Sequence, residues 1–129
     1  MPRYLILTTH ESTSRVPPMS EWDPADAEAH LACLSALNAE LTEHGELVEF
    51  TPLVDPVLAR VVTAGGPAGT VVTDGPFGET KEALAGYQLV DVESEERALE
   101  IAARVSAAPG PGGVPLRQHI EVRQVLELG

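Results

Sequence analysis

Cysteine is nearly absent from this chain. Cys33 stands alone among 129 residues, so no intramolecular disulfide can form and a reducing, cytoplasmic setting is expected. Positive charge is also scarce. Eight Lys and Arg face twenty Asp and Glu, for a net charge of −12. The few bases are scattered singly, whereas nucleic-acid affinity rests on clustered ones, so contact with DNA or RNA is excluded, as is attraction to anionic membranes. No apolar run is long enough to span a bilayer. The opening from Met1 to Thr9 carries one base and a short apolar run with acids soon after, which is not a signal-peptide layout. No cysteine pair or His-x-x-x-His spacing points to zinc. The glycines at 65, 66 and 69 come without the Lys-Ser/Thr of a phosphate loop, and Pro67 removes a donor. A Gly-x-Ser-x-Gly nucleophile elbow is missing too.

What is present is ordinary globular material: 43% hydrophobic and 22% charged residues. The length suits one domain over 1–129. Residues 3–8 form a short apolar run, expected as a buried strand, and residues 9–22 a loop. Asp23, Pro24 and Asp26 then make a strong helix start. That helix should run to His44 and stop at Gly45, with Leu34, Leu37 and Leu41 on its apolar stripe, Ala27 and Leu31 alongside, and His30 on the same line. Strands are expected over 47–51, 58–62, 70–73, 84–92 and 118–125, with a hairpin loop at 63–69 and a Pro/Gly loop at 109–113. A second helix should start at a Ser94 cap and bury Ala98, Ile101, Ala102 and Val105.

Without the inserted hairpin the order is βαββαβ, the ferredoxin-like α+β arrangement. Two helices cover only one face of such a sheet. A second copy is expected to cover the other, giving a homodimer with sheets face to face.

The most distinctive stretch runs over 71–82. Asp74 suits an Asx-turn, Gly75 supplies a positive φ and Pro76 fixes the exit. Phe77 is expected to fold back as a plug or to line a cleft, and Glu79, Thr80 and Lys81 bring an acid, a hydroxyl and a base together. Asp74, Gly75, Pro76 and Phe77, followed by Glu79, Thr80, Lys81 and Glu82 and then Gly86 and Tyr87, closely resemble the DGPF group of YCII-related proteins. The resemblance covers most of the chain. It implies a dimeric α/β barrel related to muconolactone-isomerase-like proteins, and a bacterial protein often encoded beside extracytoplasmic-function sigma factors. Ala29, His30, Leu31, Ala32, Cys33 and Leu34 resemble the helix start of the wider YCII proteins, where a histidine pairs with an aspartate. That aspartate belongs just after the second helix, where this chain reads Ala107, Ala108, Pro109 and Gly110. Asp74 is the replacement candidate.

Two functions follow as expectations. One is a small-ligand-binding or regulatory dimer without cofactor or metal, with Gly75, Pro76, Phe77, Glu79, Thr80 and Lys81 as binding residues and a sigma factor or other protein as a further partner. The alternative is a cofactor-independent lyase or isomerase in which His30 is the base and Asp74 its orienter or the acid. Each residue also has a plain structural role available: His30 as a core-edge histidine, Asp74 as a turn former, Glu79 and Lys81 as a local ion pair. His10 is expected near the same cleft, His44 as a helix C-terminal charge, and His119, Glu121 and Arg123 as one outward row. Trp22 suits a hydrophobic staple or a dimer contact, and Cys33 a small buried side chain.

Overall fold

The structure is a computed structural model that describes residues 1–11, 16–67, 69–75 and 82–128. Alternate residues of its first strand, β1 (Arg3–Glu11), behave differently: Tyr4 and Ile6 are buried, while Leu5 and Leu7 take the opposite face. β1 lies inside a four-stranded antiparallel sheet with β2 (Leu47–Pro52), β5 (Glu82–Asp91) and β6 (Ile120–Gln124), in the order β2-β5-β1-β6. The register pairs Tyr4 with Val90 and Ile6 with Gln88, so these face the helices, and Leu5 with Leu89 and Leu7 with Tyr87, so these face away. This is the ferredoxin-like α+β arrangement expected from the element order. No described helix is long and apolar enough to cross a membrane.

Helix α1 (Pro24–Glu43) begins where the sequence says it should. The Asp23 carboxylate accepts the Ala25 N–H at 3.0 Å, and Pro24 occupies the first turn. Its end is closed by Gly45 at φ +71, with Gly45 N–H donating to Thr42 O and Glu46 N–H to Leu41 O. This pair of reversed bonds satisfies carbonyls that the helix leaves open. Helix α2 (Glu95–Ser106) starts from Ser94, whose hydroxyl accepts the Arg97 N–H, and buries Ala98, Ile101, Ala102 and Val105. The core joins that stripe to Leu37 and Leu41 of α1 and to Tyr4, Ile6, Val90 and Val92. It therefore lies under the C-terminal half of α1.

The inserted hairpin is a separate two-stranded sheet of β3 (Arg60–Thr63) and β4 (Val71–Asp74). Its first strand begins later than position 58, because Asp55 and Pro56 form a second capped turn, Pro56–Leu58, with the Asp55 carboxylate accepting the Val57 N–H at 2.9 Å. The loop expected at 109–113 contains a short 3-10 turn, Pro111–Gly113. Two expectations about α1 fail. Cys33 is exposed, because it falls off the edge of the line through His30, Leu34, Leu37 and Leu41. Leu31 is 51% exposed, because the N-terminal half of the helix stands over a cavity instead of the core.

Candidate ligand-binding site

N-terminal to Leu37, α1 leaves the fully buried core, with Leu34 half-buried at its edge. His30, Leu31 and Leu34 instead line a cavity of about 500 Å³. Its floor comes from helix-facing positions of the sheet: Thr8 on β1, Phe50 and Pro52 on β2, and Gly86 and Gln88 on β5. Gly86 is needed there, since a Cβ would lie 3.0 Å from Thr51 O and 3.1 Å from the Pro52 Cα. Gln88 is 2% exposed and donates from Nε2 to Asn38 Oδ1 at 3.3 Å. Trp22 and the residues before α1 make one wall, and the segment from Leu116 to His119 makes another.

His30 is held at this site by two contacts. Its Nδ1 lies 3.0 Å from Pro109 O. A carbonyl oxygen only accepts, so Nδ1 carries the hydrogen, and in the neutral ring Nε2 is the acceptor. The Trp22 ring meets the imidazole edge to face, with centroids 5.6 Å apart and planes at 90°. Trp22 is itself fixed by Nε1 donating to Pro17 O at 2.7 Å. Nitrogen-15 NMR of the neutral ring should show a protonated Nδ1 and a pyridine-type Nε2, and the opposite pattern would remove this account.

The loop that presents the Pro109 carbonyl is tightly built. Gly110 N–H donates to Val114 O at 2.8 Å, and Leu116 N–H to Ala108 O at 3.0 Å. A Cβ at Gly110 would lie 2.5 Å from Leu116 Cδ2, so glycine lets the Leu116 side chain pack directly on the main chain there. Asp26 in the first turn of α1 accepts the Gly112 N–H at 3.1 Å, which ties the loop to the helix that carries His30.

Of the residues singled out in the sequence, His30 and His10 line the cavity, and His119 joins them from the segment before β6. Asp74 does not. It ends β4 with a side chain 92% exposed, its carboxylate 3.7 Å from Arg60 Nε. No hydrogen bond or ion pair joins it to His30 among the described residues. Gly75 takes the positive φ expected of it, +82, and its N–H reaches Ala59 O. Pro76, Phe77, Glu79, Thr80 and Lys81 lie outside the described residues. His44 sits at the end of α1, its Nδ1 3.8 Å from the Glu46 carboxylate. Among the described residues no three His, Cys, Asp or Glu side chains gather to hold a metal ion.

Sequence reasoning missed Phe50, Gln88 and Arg117 as cavity residues, and gave Trp22 a different role. Gln88 had a signal, being the polar residue on the inward register of an otherwise apolar strand. Arg117 had none, since its place depends on a turn at the end of α2.

The family model described as the YCII-related domain matches residues 3–126. An uncharacterized protein of Rhizobium meliloti (strain 1021) is 36% identical over 99 residues, which is 76% of this chain and 79% of that protein. The chain belongs to the YCII-related family.

Proposed function

We propose that the protein is a small-ligand-binding homodimer whose ligand occupies the cavity under the N-terminal half of α1. The observation that carries this reading is His30, fixed by Pro109 O and Trp22 at the edge of a cavity of about 500 Å³, a size that suits a small molecule. The dimer part is supported by the far face of the sheet, where Leu5, Leu7, Tyr87 and Leu89 sit half-buried on the side away from the two described α-helices. Sheets with one apolar face uncovered are stabilised by a second layer.

A neutral apolar probe, N-phenyl-1-naphthylamine, tests the cavity. Trp22 is the chain's one tryptophan and lines the cavity, so its emission should change saturably as the probe binds. Leu31→Glu, which places a charge on an exposed part of the wall, should weaken binding severalfold while the circular dichroism stays unchanged. Sedimentation of the same sample should return twice the chain mass. Absence of any saturable change, or a probe indifferent to Leu31→Glu, removes the cavity reading, and a monomer mass removes the dimer.

A second reading is favoured by the tautomer of His30. With Nδ1–H engaged by Pro109 O, Nε2 is left able to accept a proton. This is the arrangement required of the base in a cofactor-independent isomerase or lyase. In it the Pro109 carbonyl supplies the orientation that was expected from Asp74.

A further inference from the structure

We propose that the cavity selects an anion, a small monocarboxylate with a flat apolar body, and that Arg117 is the residue that recognises its charge. The proposal rests on the reading of the cavity as a ligand site.

The lining of the cavity is poor in acids for a chain so rich in them. With a net charge of −12 and twenty acids, the chain would be expected to line a random hollow with carboxylates. Three of its four histidines, His10, His30 and His119, line this one together with Arg117. Asp55 is the single acid among the described lining residues, and its carboxylate is already engaged by the Val57 N–H.

Arg117 also differs from most of the described arginines. Arg3 meets Asp91, Arg60 meets Asp74, Arg97 meets Glu46 and Arg104 meets Glu40. Arg117 has no carboxylate partner among the described residues, a state it shares only with Arg123 on β6. It is the one described non-glycine residue at positive φ, +55, a conformation that residues with a side chain take at a cost. The surrounding bonds enforce it. Arg117 N–H donates to Ser106 O at 2.8 Å, and the Ser106 hydroxyl donates to Gln118 O at 2.7 Å. Thr9 Oγ1 donates to His119 O at 3.0 Å. Glycine would relieve the strain, yet an arginine stands there, on a segment fastened on both sides.

A guanidinium is the side chain best matched to a carboxylate, through a planar fork of donors. The remaining walls fix the rest of the ligand. Trp22 and Phe50 bring flat rings and Leu34 and Pro52 further apolar surface to the lining, which suit an aromatic or similarly flat body.

Benzoate and benzamide, equal in shape and different in charge, are the probes. Titrations followed by Trp22 emission use wild type, Arg117→Gln and Arg117→Lys. Wild type should bind benzoate about tenfold or more tightly than benzamide, with the preference shrinking as salt is raised. Arg117→Gln should abolish the preference and leave benzamide affinity within about twofold of wild type, and Arg117→Lys should restore part of it. If benzamide and the neutral naphthylamine bind but benzoate gains nothing, or keeps its gain in Arg117→Gln, the anion assignment fails and the cavity reading stands. If none of the three probes binds, both fail together.

Discussion

Replacing Leu41 by alanine lowers the unfolding free energy by about 3 kcal/mol, the usual cost of truncating a fully enclosed leucine. Leu41 has no exposed surface and packs in the cluster shared by α2 and the sheet. The loss combines transfer of the deleted carbons with a void that rigid strands on one side and a second helix on the other cannot close. Leu31 is on the same helix but 51% exposed, so Leu31→Ala should cost less than about 1 kcal/mol. Urea unfolding of the two variants separates the cases. Equal costs would mean that the core does not end at Leu37, and the cavity under the first half of α1 would go with it.

Glu46→Gln lowers stability at neutral pH by about 2 kcal/mol and has little effect in acid. Glu46 leaves α1 in its closing turn and accepts from Arg97 Nε and Nη2, both at 2.9 Å, with the two side chains only 13% and 21% exposed. That paired hydrogen bond clamps the end of α1 to the start of α2. The Arg97 guanidinium holds the Glu46 carboxyl below its ordinary value, against the opposing effect of burial. A lowered folded pKa means that the folded state binds fewer protons than the unfolded chain in that window. The stabilisation is therefore complete above the ordinary glutamate range and is lost as pH falls through the folded value. Urea midpoints of wild type and Glu46→Gln, taken from pH 7 to pH 3, should converge toward the acid end. A gap that stays constant would show that packing, and not the charge, accounts for the loss.

Much of the fold was legible because its signals are local. Asp23 and Pro24, Ser94, and Gly45 each act within one turn of backbone, and the structure uses all of them as read. The stripe of α2 was legible for the same reason, since every member touches one continuous core. The cavity was not. It is assembled from β1, β2 and the turn after it, β5, α1 and the stretches before α1 and after α2, and no periodicity in one segment announces a hollow shared by so many. The misjudged Leu31 belongs to that failure, because a stripe predicts which side of a helix faces inward and not whether anything fills the space beneath. His30 was found only through its resemblance to a family helix. The aspartate expected to orient it is missing from the segment Ala107, Ala108, Pro109 and Gly110. What composition could not convey is that the same segment still reaches the ring, through the main chain of Pro109.

That substitution of backbone for side chain has a genetic consequence. A carboxylate orienter can be deleted by one codon change, and a dyad of side chains reveals itself when either member is replaced. The oxygen that orients His30 is present whatever residue stands at 109, so a side-chain scan would find the Trp22 ring and miss the hydrogen-bond acceptor. The vulnerable position is the neighbour, Gly110. A Cβ there would lie 2.5 Å from Leu116 Cδ2, so a larger residue requires the Leu116 side chain to shift within the loop that presents the carbonyl, and a mutational map would mark a glycine where chemists would look for an acid.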